Sequence, residues 1–189
     1  MPENVSVSAA TLFWNIEYRN HLYIGNQFCH LLFPERKLLF EIIEKAAAEQ
    51  VEITLVFSYI REYMLDYITE LLDEINRWCE EKRQSVEIVV NDWGMASLVK
   101  KSRRNLIPSL GILLNKRRKD PRIPFKKGEQ KWFERNSLNA GFYRNFLERE
   151  YGIQRFEWES CGYEQQIPPG KNSLHIPFYQ TNTSQYCPL

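Results

Sequence analysis

The chain is poor in the residues that usually announce a metal site, and those it has are irregularly spaced. Its four cysteines, Cys29, Cys79, Cys161 and Cys187, include no Cys-x-x-Cys pair. That argues against a zinc knuckle and against the dense disulfide framework of a small secreted domain. Three histidines, His21, His30 and His175, form no spaced pair on one helix, so a histidine metal site or a catalytic triad has little support. Charge of one sign is missing too. With 25 Lys+Arg against 24 Asp+Glu the formal net charge is +1, and no bulk field draws the chain to nucleic acid or to a membrane surface. No run approaches the ~18 apolar residues of a membrane helix. The opening MPENVSVSAATLFW lacks a basic start followed by an apolar stretch, so no secretory signal is read and the cytoplasm is the expected location. There is no glycine-rich phosphate loop, no internal repeat and no low-complexity tract.

What is present suits a globular α/β domain. A hydrophobic content of 43%, of which aromatics are 14% of the chain, is ample for a core in 189 residues, and one domain spanning 1–189 is expected. The most legible segment is 86–116. Val86, Ile88, Val89 and Val90 make a β-branched run of the kind that forms a parallel strand buried on both faces. It stops at Asn91-Asp92, and a helix is expected over 95–104, with Leu98 and Val99 on one side and Lys100, Lys101, Arg103 and Arg104 on the other. Pro108 leads into a strand over 110–114 that ends at Asn115-Lys116. Strand, helix and strand in this order require a parallel sheet.

The remaining elements follow the same alternation. Strands are expected over 10–16, 21–25, 51–57, 153–159 and 173–179, the last weakened by Pro177. Helices are expected from Pro34 to about residue 50, over 63–82, and over 136–151 with Gly152 as carboxyl cap. Residues 116–131 are basic and rich in proline and glycine, and read as a long loop with a solvated face. About seven strands with intervening helices point to a (β/α) TIM-like barrel that is incomplete, either truncated at its carboxyl end or closed by another chain.

In such a barrel the reactive face lies at the carboxyl ends of the strands. Cys29 follows the second strand, Cys161 the sixth and Cys187 the seventh, whereas Cys79 lies within a helix. Thiolates converging on one face suit iron–sulfur ligation; the alternative is that they are small buried apolar residues. Ser58, Tyr59, Asn91, Asp92, Asn115 and Glu159 share the same rim, where they would hold a substrate by hydrogen bonds or act as acid or base. Asp92 has the alternative of capping the helix after it.

The segments VVNDWGMASLV and LGILLNK resemble the paired N-D-x-G and G-x-x-L-N signature of the collagenase-like peptidase family, number thirty-two of the unknown catalytic type. The segment from YIGNQFCHLLFPERK onward resembles the region of that family in which a strand leads into a cysteine and then a helix, and SLHIPFYQTNTSQYCPL resembles the one in which a strand runs into the first cysteine of a cluster motif. The pattern is closest to the UbiU/UbiV-type iron–sulfur branch. What the resemblance implies is a (β/α) barrel holding a 4Fe-4S cluster and acting in oxygen-independent hydroxylation of a ubiquinone precursor or of RNA. Carried over, Cys29 matches the early ligand and Cys187 the first of the later ones. The two ligands that follow in the family are absent because the chain stops at Leu189, and Cys161, which has no family counterpart, is placed to serve as a third. Two other functions remain open: a peptidase, for which no nucleophile can be named, and a non-catalytic subunit of a homo- or hetero-oligomer that uses residues 116–131 as its contact. Quinone precursor, RNA and peptide all remain as substrates.

Overall fold

β-Branched residues fill a strand buried on both faces, and Val86–Val90 forms such a strand, with every residue but Glu87 buried. In the computed structural model the described residues are 6–9 and 21–176, apart from Ser102, Lys119, Pro121 and Gly162. They fall into two compact units, residues 1–109 and 110–189.

The first unit is built on parallel strands in chain order. β1 (Ser6–Ala9) pairs with β2 (His21–Gly25), β2 with β3 (Glu52–Val56), and β3 with β4 (Val86–Val90). Helices α1 (Arg36–Ala48), α2 (Leu65–Lys82) and α3 (Trp93–Lys100) link them. α1 buries Leu39, Ile42, Ile43 and Ala46, and α2 buries Ile68, Leu71, Leu72, Ile75 and Trp78, whereas Tyr67, at the same helical spacing, is exposed. The register gives the strands two unlike faces. Ile24, Leu55 and Ile88 align on one, whereas Tyr23, Thr54 and Glu87 align on the other. On that second face His21 Nε2 lies 2.6 Å from Thr54 Oγ1, which donates to Glu87 Oε2 at 3.1 Å. The buried polar groups of this face are therefore satisfied by one another.

In the second unit Leu110, the last residue of β5 (Leu106–Leu110), pairs with Phe156 of β6 (Arg155–Glu159), and β6 pairs in parallel with β7 (Lys171–His175). Phe156 and Trp158 are buried on one face of β6, while Arg155, Glu157 and Glu159 occupy the other. Two short helices, α4 (Gln130–Glu134) and α5 (Gly141–Tyr151), lie between β5 and β6.

The α/β class and the parallel pairing are as the sequence predicts, but several boundaries move. The fifth strand is residues 106–110 rather than 110–114, and residues 112–114 form a turn in which the Leu114 and Asn115 amides donate to Gly111 O at 3.1 Å. Pro108 therefore stands inside the strand and does not precede it. α3 starts two residues early, at Trp93, because Asp92 caps it, and it ends at Lys100, before Arg103. Arg103 leaves the expected basic face altogether: it is 8% exposed, with hydrogen bonds to Thr69 O and Leu98 O and an ion pair to Asp73 at 2.8 Å. The expected loop over 116–131 contains a short 3-10 turn at Ile123–Phe125 and the start of α4. The helix expected from residue 136 begins at Gly141, after a 3-10 turn closed by a capping box of Asn136 and Asn139. Gly152 caps it in the left-handed region, φ 71°. The strand expected over 10–16, the end of the last strand (177–179) and Cys187 lie outside the described residues.

Candidate functional site

Three loops meet at the carboxyl ends of β2, β3 and β4, and each is fixed by short-range polar contacts. Gly25 ends β2 at φ 111°, in a place where a Cβ would stand 2.3 Å from Val56 O. Only glycine makes that turn without strain. Asn26 Oδ1 then accepts from the amides of Phe28 (2.8 Å) and Cys29 (3.0 Å), an Asx turn that sets the start of the next loop. After β3, the Phe57 carbonyl accepts from Asn91 Nδ2 at 2.8 Å. Asp92 divides its carboxylate: Oδ1 accepts from the Met95 amide at 2.8 Å, and Oδ2 accepts from the Ile60 amide at 2.8 Å. Of the two roles expected for this aspartate the geometry gives the helix cap, which also pins the loop beside it.

The loop so held walls a cavity of about 220 Å³, together with residues 30–35 and the start of α2. Phe33 and Phe57 stack in its wall with ring centroids 4.4 Å apart and planes 25° apart, and Tyr59, Met64 and Tyr67 also line it. His30 and Glu35 line it as well, His30 with Nε2 3.2 Å from the hydroxyl of the exposed Tyr63. Ser58 belongs to the wall and is 4% exposed; its Oγ is buried without a hydrogen-bond partner. An apolar pocket with a few polar groups is the usual form of a small-molecule site.

In the second unit the polar face of β6 carries a set of buried charges. Glu157 is fully buried, with Oε2 2.5 Å from His175 Nε2 and Oε1 3.6 Å from Arg155 Nε. Arg155 also donates to Ser173 Oγ at 3.1 Å through Nε. At the strand's end Glu159 pairs with Arg117 at 3.1 Å, the two side chains being 2% and 4% exposed. Arg117 Nη1 donates to the Tyr163 hydroxyl at 3.3 Å; burial raises the pKa of that phenol, and the Arg117 contact opposes the rise. Asn115 Nδ2 donates to Glu157 O at 3.2 Å, and its Oδ1 is buried with no partner. Charges buried at this depth persist only when each has its counterpart.

The expected site residues therefore divide between the units. Ser58, Asn91 and Asp92 come together beside the cavity in the first unit, Asn91 and Asp92 spending their side chains on backbone groups. Asn115 and Glu159 stand in the second. Cys29 is half-buried and four residues past β2, and Cys161 is half-buried and two past β6, with Sγ donating to Tyr163 O at 3.1 Å. Cys79 is buried within α2, where burial and the neighbouring Glu80 push its thiol up to about 11. Among the described residues no group of three or more His, Cys, Asp and Glu could hold a metal ion. His175 has a third of its side chain exposed and is backed by the buried Glu157.

Sequence reasoning missed Phe33, Met64, Tyr67, Arg117 and Glu157. The nearest signal for the cavity was the aromatic pair Phe57 and Tyr59 around Ser58 at a strand end. No helix among the described residues is long and apolar enough to cross a membrane. No protein family, curated protein or solved structure matches the chain.

Proposed function

We propose that this protein binds a small, largely apolar molecule in the cavity at the carboxyl ends of β2 and β3. The observation that carries the proposal is the cavity itself: about 220 Å³, walled by the stacked rings of Phe33 and Phe57 and by Tyr59, Met64 and Tyr67. An apolar engineered cavity of about 150 Å³ takes benzene, so a volume half as large again suits one substituted ring. The ring of a quinone precursor falls within this class. Its position agrees with the rule that ligands of parallel α/β sheets sit beyond the carboxyl ends of the strands. The (β/α) barrel expectation draws support from the parallel strands that follow chain order in each unit. Saturation-transfer NMR with toluene tests the binding: signal transfer is expected with the full chain and is lost in Met64→Trp, which puts a bulkier side chain into the cavity lining. Transfer that is absent, or that is unchanged in Met64→Trp, removes the proposal.

A second proposal is a 4Fe-4S cluster on Cys29, Cys161 and Cys187, serving oxygen-independent hydroxylation. It is supported by the free thiols of Cys29 and Cys161, each just past the carboxyl end of a parallel strand. A cluster would supply one-electron chemistry. Iron and acid-labile sulfide are measured on protein purified without oxygen. Iron in wild type that is lost in both Cys29→Ala and Cys187→Ala upholds the cluster, and iron-free wild type eliminates it.

A further inference from the structure

We infer that residues 122–135 form a contact for an anionic membrane surface, in which Phe125 enters the lipid bilayer and the lysines near it meet acidic headgroups. The surface belongs to the second unit, and the inference is independent of the cavity proposed as a binding site in the first.

Three observations lead there. First, charge that nearly balances over the whole chain is concentrated in one stretch. Residues 116–135 hold nine Lys and Arg against three Asp and Glu, a local charge of +6 in a chain whose total is +1. Lys127 and Lys131 are exposed and make no ion pair among the described residues. Second, Phe125 is 87% exposed, more than any other large apolar side chain among the described residues. The turn that carries it is braced from both ends by Asp120: its Oδ1 accepts from the Arg122 amide at 2.9 Å and pairs with Arg122 Nε at 3.0 Å, and its Oδ2 pairs with Lys126. Ile123, two residues before Phe125, is buried and anchors the same turn. An apolar tip followed directly by Lys126 and Lys127 suits a bilayer surface. The ring enters the boundary between headgroups and acyl chains, and the ammonium groups stay with the phosphates. Third, the neighbouring rings are poorly placed to hold the other common polyanion, a single strand of nucleic acid. Such a strand stacks its bases on exposed ring faces. Here Arg135 already lies over the Trp132 ring at 5.0 Å and Arg118 over the Phe133 ring at 5.5 Å, so one face of each is covered.

Flotation of the full chain with lipid vesicles tests the inference. Vesicles of phosphatidylcholine mixed equally with phosphatidylserine are expected to carry the protein, and vesicles of phosphatidylcholine alone are not. Salt at about 1 M, where the screening length falls to about 3 Å, is expected to release most of it. Phe125→Ser is expected to weaken partition about five- to tenfold, part of what burying one phenylalanine gives, whereas Phe125→Trp is expected to keep it, since tryptophan settles at membrane interfaces. Lys127→Gln and Lys131→Gln are each expected to weaken partition about fivefold. All three positions are exposed, so the melting temperature is expected to stay unchanged and loss of binding is separated from loss of fold. Failure of the wild-type protein to float with phosphatidylserine vesicles overturns the inference. Equal partition of Phe125→Ser and wild type also overturns it, by reducing the contact to charge alone. Retention on an oligouridine column without flotation assigns the surface to nucleic acid and overturns it as well.

Discussion

Asp92 holds Ile60: its Oδ2 accepts the Ile60 amide at 2.8 Å while its Oδ1 caps α3 through Met95 at 2.8 Å. One carboxylate thus ties the end of the third strand's loop to the helix that follows the fourth, and the loop it ties is a wall of the cavity.

Asp92→Ala is expected to lower stability by about 1–2 kcal/mol, the usual cost of a lost helix cap, as read by urea denaturation. It is also expected to weaken toluene binding severalfold, because residues 58–60 lose their anchor. Asp92→Asn keeps acceptor and size and is expected to lose less of both. Equal toluene affinity in Asp92→Ala and wild type contradicts the tether.

Gly25→Ala is expected to destabilise the first unit by at least about 2 kcal/mol. The new Cβ would lie 2.3 Å from Val56 O and 2.8 Å from Phe33 Cδ2, at φ 111°. Since Phe33 is part of the cavity wall, ligand binding is expected to fall with stability. Chemical denaturation gives the first effect and titration the second.

The Arg117–Glu159 pair, with both side chains at least 96% buried, is expected to show the asymmetry of buried ions. Glu159→Leu or Arg117→Met alone leaves one charge without its counterpart and is expected to cost about 3–5 kcal/mol. The double variant removes both charges and is expected to recover most of that loss. A double-mutant cycle of unfolding free energies measures the coupling, and additive losses contradict it.

Cys79 gives a pH dependence whose sign follows from its burial. In the folded chain its thiol is raised to about 11 from 9.0, first by burial and then by Glu80. The folded state therefore holds the proton more tightly, so the stability this contributes is complete below pH 9 and is lost as pH rises toward 11. The difference in stability between wild type and Cys79→Ala is expected to shift against wild type over that window, by up to about 1.4 kcal/mol per pH unit. A difference that stays constant with pH contradicts the assignment. At pH 8 the native thiol is expected to resist dithionitrobenzoate until the protein unfolds.

Parts of this architecture were plain in the chain and others were not, for physical reasons. Val86–Val90 and the stripe of α2 were legible because one period dominates each: continuous β-branching in the first, helical spacing of Ile68, Leu71, Leu72 and Ile75 in the second. The fifth strand was misplaced because Leu110 to Leu114 is as apolar as Leu106 to Leu110, and Pro108 reads as a boundary although it stands within β5. Arg103 looked like one member of a basic face until tertiary partners on α2, Asp73 and Thr69 O, drew it inward. At the site, the strand-end residues Ser58, Asn91 and Asp92 were found, since a polar group closing an apolar run is a local signal. The cavity was not. Its wall joins residues 30–35 to 57–60 and to α2, and no local pattern records which loops will face one another.

Titration of toluene into the full chain, alongside Met64→Trp, tests the central claim most directly. Saturable one-to-one binding to wild type, with heat and thermal stabilisation both lost in Met64→Trp, is the predicted result. No binding to wild type, or equal binding to the filled variant, contradicts it.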